Sequence, residues 1–208
     1  MERLPAPPNP FPVPELPRIL GAGSEIWRIY FRSGKHPVPW DKFRDFGPIS
    51  SSRFDNHLAP SRIQDRAILY ATNGRTALRT ALAEVFQKTQ VIDLTKDDPW
   101  LVGFRALRDI RLLDTSGDWP LAAGGSMAIN SGSRKDSRAW SREIYRQYTS
   151  VEGIWYPSSL IGTACVALYE RARSGVPLVP VFHRALKDRA IRLLIKKAAR
   201  TIRYVIVT

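Results

Sequence analysis

Three features of the sequence predict an α+β domain. Short runs of β-branched and aromatic residues, such as Glu25–Phe31 (EIWRIYF), are interspersed with stretches of helical apolar spacing. Their order lacks the regular βαβ alternation of a doubly wound sheet. The 208 residues, 44% of them hydrophobic and 25% charged, suit one core plus an appendage.

Residues 1–18 hold seven prolines, which build neither helix nor central strand, so residues 1–20 are expected as an extended arm. Residues 21–208 are expected as the domain. Its first strand is Glu25–Phe31. Arg32 to Arg66, rich in Pro, Gly, Ser and charge, reads as a long loop of the kind that carries function. A strand at Ala67–Ala71 and a turn at Thr72-Asn73-Gly74 lead into a helix over Arg75 to Lys88. A strand follows at Gln90 to Leu94, then a weak helix at Trp100 to Leu107 and a strand at Ile110 to Leu113. Gly124 to Ser133 reads as loop. Ser137 to Tyr148 reads as helix with Ser137 as its N-cap. Strands are expected at Gly153 to Tyr156 and Ala164 to Tyr169. A helix over Leu186 to Ala198 and a strand at Tyr204 to Val207 close the chain.

The net charge is +13. Between Arg184 and Tyr204 eight basic residues stand against Asp188 alone, so the tail holds more than half of the excess. Such a balance suits nucleic acid, an anionic small molecule or an acidic partner. No basic stretch is interleaved with stacking aromatics as in single-strand binders. The lone Cys165 excludes an internal disulfide framework, and no apolar run is long enough to span a bilayer, so a cytoplasmic location is expected. His36, His57 and His183 are widely spaced, and Walker, GxGxxG and GxSxG motifs are missing.

Glu84 lies about 20° outside the apolar face of its helix, next to Thr80 and Ala81. A carboxylate there can be partly desolvated and aimed into a cleft, or can be an ordinary boundary residue. Arg53 ends the long polar loop in Ser51-Ser52-Arg53-Phe54-Asp55 and could fork a pyrophosphate or simply be solvated. Tyr70 ends a strand before the Glu84 helix; its ring can stack on a heterocycle or fill core. Ser158 follows Gly153-Ile154-Trp155-Tyr156-Pro157, where a strand breaks at proline.

These residues, in this order, resemble the RES family, named for its arginine, glutamate and serine. The matching pieces are Trp27-Arg28-Ile29, Phe46-Gly47-Pro48, Ser52-Arg53-Phe54-Asp55, Ile68-Leu69-Tyr70-Ala71, the helix from Ala77-Leu78 to Ala83-Glu84-Val85, Val91-Ile92-Asp93-Leu94 and Gly153 to Ser158. They span roughly Ile26 to Tyr169. Ser159 adjoins Ser158 as an alternative hydroxyl, and Arg62 or Arg66 compete with Arg53. The resemblance implies an ADP-ribosyltransferase-like fold with an NAD cleft. It implies an NAD phosphorylase or NAD glycohydrolase, or ADP-ribosyl transfer to a protein, with NAD as substrate and no metal. Such proteins are toxins neutralised by an Xre-type helix-turn-helix antitoxin; homodimerisation is left open.

By the same resemblance Arg53 would pair with the pyrophosphate, with Arg28 as a second anion contact or a structural arginine. Tyr70 would pack on the nicotinamide, Glu84 would face the ribose, and Ser158 would bind that ribose. Phosphate, water and a protein side chain remain open as acceptors. The rival reading is a basic nucleic-acid- or partner-binding module without catalysis.

Overall fold

The computed structural model describes residues 4–208. The chain runs through β1 (Pro17–Leu20), β2 (Glu25–Phe31), β3 (Arg44–Gly47), β4 (Arg62–Asn73), α1 (Ala77–Val85), β5 (Val91–Asp93), β6 (Pro99–Arg105) and β7 (Ile110–Asp114). It continues through α2 (Trp119–Ala122), α3 (Ala128–Ser131), α4 (Arg134–Gln147), β8 (Gly153–Pro157), β9 (Ala164–Tyr169), β10 (Phe182–Ala185), α5 (Arg192–Ile202) and β11 (Val205–Val207). This is the α+β class that the irregular element order predicts.

Eight strands lie in the order β1-β7-β8-β9-β4-β2-β6-β10, and β3 joins them as a ninth strand paired with β4. Pairing is antiparallel except between β7 and β8. β5 and β11 form a separate parallel pair. The register of β4 positions the cleft. β4 meets β2 only at Ile26↔Asn73 and Trp27↔Thr72, and meets β3 from Arg44↔Ile68 downward. Between those contacts, Leu69, Tyr70 and Ala71 have β9 on one side and no strand on the other. The sheet therefore forks, and the fork is the mouth of a cleft.

Three apolar clusters surround the fork. One, with Trp140, Ile144 and Tyr169, lies under α4. A second, with Phe43, Leu69 and Phe104, lies between the sheet and the loop carrying Trp40. The third, with Leu82, Leu101 and Ile195, joins α1 and α5 to the sheet. The arm packs against the first cluster: Phe11 is buried, with its ring 5.7 Å from Trp140 and 5.2 Å from Tyr148. Burying such a ring stabilises by roughly 1.5–3 kcal/mol. Because proline offers no N–H, the arm is held largely through its carbonyls, which accept from Trp140 Nε1 at Pro5 and from Tyr148 at Val13. Its last four residues pair with β7 as an edge strand. The first three residues of the arm lie outside the described residues.

Several expected elements are corrected. The helix expected at Trp100 to Leu107 is strand β6. Its residues Leu101, Val102, Gly103 and Phe104 are all buried, so no period-two alternation shows in the sequence. The long loop contains β3 and the start of β4, which begins five residues before the expected strand. Gly124 to Ser133 contains the helical turn α3. Ser137 does not cap α4: the helix starts at Arg134 after Ser133, and Ser137 is buried inside it, donating to Ile129 O. The tail helix begins only at Arg192, after a 3-10 turn at Arg189–Ile191, and runs to Ile202. Among the described residues no helix is long and apolar enough to cross a membrane.

Candidate functional site

A cleft of about 240 Å³ opens from the fork. Trp27, Arg28 and Ile29 of β2 form one wall and Tyr70, Ala71 and Thr72 of β4 form the floor. Glu84, Val85 and Gln87 enter from α1 and its end, and Ser51, Ser52 and Arg53 from the loop after β3. Arg134, Tyr156, Ser159 and Cys165 complete the lining.

Glu84 and Ser158 meet. The Ser158 hydroxyl donates to Glu84 Oε1 at 2.5 Å and accepts from Leu160 N at 3.2 Å and Ile161 N at 3.4 Å. Ser158 is buried, because the chain folds back on itself after Pro157: its own amide donates to Thr163 O at 2.7 Å. One turn earlier on α1, Thr80 Oγ1 lies 2.6 Å from Thr163 Oγ1. Two contacts on one helix face thus hold α1 against the loop after β8. A hydroxyl fixed from three sides orients one carboxylate oxygen and leaves the other for a ligand. Ser159, the alternative, is exposed and lines the cleft without touching Glu84 through a hydrogen bond.

Arg53 is half-buried, and its Nη1 donates to Gly132 O, between α3 and α4, at 2.7 Å and to Ser137 Oγ on α4 at 3.2 Å. Burial, then the neighbouring Arg134 cation, lowers its pKa from the usual guanidinium value. A cation held in place and deprived of water is suited to an anion. Neither Arg62 nor Arg66 lines the cleft: Arg62 is exposed at the start of β4, and Arg66 donates to Asn56 O and stacks over Tyr145. Arg28 lines the wall, but its Nη1 donates to Trp40 O at 3.0 Å and its Nε is buried without a partner. Burial lowers its pKa to about 10, so it stays charged at neutral pH. One of its donors thus binds a carbonyl outside the cleft lining, while its Nε stays unpartnered.

The floor is aromatic. The Tyr70 hydroxyl is buried with no hydrogen-bond partner, and burial pushes its pKa up, as it does for Tyr156. Trp27 lies flat over Gly103, where an added Cβ would sit 2.8 Å from its ring. A side chain at 103 would lift the indole off the wall. Burial also raises the Cys165 thiol, reinforced by Glu84, which keeps it protonated and a poor nucleophile. Among the described residues no three His, Cys, Asp or Glu side chains are grouped to hold a metal ion.

Residue patterns alone did not single out Gln87 or Arg134. Arg134 Nη2 donates to Gln87 Oε1 at 3.1 Å, which ties α4 to the end of α1 across the cleft. The signal was Ser133 with Asp136 three residues on, the spacing of a helix start, which places Arg134 in the first turn.

The family model described as RES domain matches residues 25–191. Among solved structures the fold is similar to the crystal structure of the M. tuberculosis MbcT-MbcA toxin-antitoxin complex, with a TM-score of 0.54 and 13% identity. That match covers 88% of this chain and 92% of the other. The comparison with curated proteins returns no match.

Proposed function

Because the chain belongs to the RES domain family, with its model matched over residues 25–191, we propose that it is a toxin that consumes NAD by cleaving the nicotinamide–ribose bond. The observation that carries this reading is the Glu84–Ser158 contact, set at the head of a cleft that Arg53 and Tyr70 also line.

The chemistry follows from the substrate. The C1′–N bond breaks with its electron pair, and nicotinamide leaves neutral, so no general acid is required. The ribose carbon becomes oxocarbenium-like. The Glu84 carboxylate, steadied through Oε1 by Ser158, faces that charge or holds a ribose hydroxyl with its other oxygen. Arg53 holds the pyrophosphate, and Arg134 supplies a second cation on the same side. Tyr70 packs against the nicotinamide, with Trp27 as the opposite wall. An acceptor oxygen then bonds to C1′ and loses its proton. Phosphate gives phosphorolysis, water gives hydrolysis and a protein side chain gives ADP-ribosyl transfer; we favour phosphate or water.

The partner in this reading is an antitoxin of the Xre helix-turn-helix class. Arg189, Arg192, Lys196, Lys197, Arg200 and Arg203 have no ion-pair partner among the described residues. That leaves a cationic outer face on α5 and its flanks for an acidic surface.

Purified protein incubated with NAD is expected to release nicotinamide, measured by chromatography with and without inorganic phosphate. NAD that stays intact with folded, inhibitor-free protein rules the reading out. Faster release with phosphate, and ADP-ribose 1″-phosphate as product, identifies phosphorolysis.

A further inference from the structure

The segment that presents Arg53 is built around a carboxylate with no place in the chemistry above. Asp55 is wholly buried two residues beyond Arg53. Its Oδ2 accepts from Arg44 Nη2 and from Ile49 N, both at 2.8 Å. Its Oδ1 lies 2.5 Å from His57 Nδ1 and accepts from His57 N at 3.1 Å. Four partners therefore converge from β3, from the residue after Pro48 and from beyond Phe54. They close the Ile49–His57 loop into a ring, and Ser51, Ser52 and Arg53 form the part of it that lines the cleft. On either side the loop is pinned to α4 and the core. Arg138 Nη1 donates to Ser50 O at 2.8 Å, and Phe54 is buried with its ring 4.6 Å from Tyr156.

We infer that Asp55 is a positioning residue: with Arg44 and His57 it fixes the loop so that the Arg53 guanidinium points at the substrate anion. This rests on the proposed role of Arg53. A buried carboxylate with one cation and two backbone amides is costly to leave unpaired, so the ring holds one geometry. Burial would raise the Asp55 pKa, but His57, Arg44 and the two amides outweigh it and hold it below the ordinary carboxylate range. Both of its oxygens bind the two ends of the segment that carries Arg53, at Ile49 and His57, and tie that segment to β3 through Arg44.

A double-substitution cycle tests this. Asp55→Asn alone is expected to lower kcat/KM for NAD by roughly 10–100-fold, as for a catalytic group displaced by about an ångström. In an Arg53→Ala background the same change is expected to cost less than about twofold, the scatter of independent substitutions. Arg44→Gln repeats the cycle at a residue whose side chain is 22% exposed, should Asp55→Asn fail to fold. Hydrogen exchange over residues 49–57 is expected to rise in the single variants while α4 stays protected. Costs that multiply in the double variants, or unchanged exchange over 49–57, overturn the inference. A wild-type protein that leaves NAD intact counts against the proposed function instead, and the exchange arm then decides whether Asp55 fixes the loop.

Discussion

Glu84→Gln is expected to leave a folded protein whose turnover of NAD falls by about 10²–10³, the range for losing one preorganised electrostatic partner of a transition state. The amide preserves size and can still accept from Ser158 through its oxygen, as Oε1 does at 2.5 Å, though more weakly than a carboxylate. What it removes is negative charge opposite the ribose carbon. The side chain is only half-buried, and its helix packs through Ala81, Leu82 and Phe86, so stability changes little. Nicotinamide release measured beside a thermal melt separates the two effects. Near-native turnover in this variant would show that Glu84 does not stabilise charge.

Arg53→Ala is expected to weaken use of NAD by about 2–4 kcal/mol in kcat/KM, the range for truncating one side of a desolvated charge pair. Loss confined to KM would mean that the contact is the same in ground and transition states, and loss in kcat as well would mean that it also orients the ribose. Arg53→Lys is expected to rescue only in part. Nη1 is shared between Gly132 O and Ser137 Oγ, so the planar fork both anchors the side chain and presents its remaining donors. A single ammonium cannot do both. Steady-state kinetics on the two variants would contradict this if Arg53→Ala were indistinguishable from wild type.

Much of this site is legible in the chain. Glu84 sits at the rim of an apolar helix face, and that placement is what carries it to the cleft. Ser158 follows the proline that ends β8, where the chain turns back and buries the hydroxyl. Tyr70 falls on β4 next to the fork. The fork itself is not legible: it exists because β4 runs from Arg62 and shares its one side between β3 and β2. Nothing local in Arg62-Ile63-Gln64-Asp65-Arg66 announces a strand, since its stability comes from pairing with β3. β6 was hidden for the opposite reason, being apolar on both faces. Arg134 was missed because Ser137, a good capping residue, competed with Ser133, and only the packing of Ser137 under α3 decides between them. The bond from Arg28 Nη1 depends on Trp40 O, twelve residues away in a loop, and is a tertiary fact throughout.

The most direct measurement is a crystal structure of Glu84→Gln soaked with NAD, in which slow turnover preserves the substrate. The pyrophosphate is expected on Arg53, the nicotinamide between Trp27 and Tyr70, and the ribose within hydrogen-bond distance of residue 84. NAD bound outside the fork between β2 and β4, or with its pyrophosphate on the cations of α5, would contradict it.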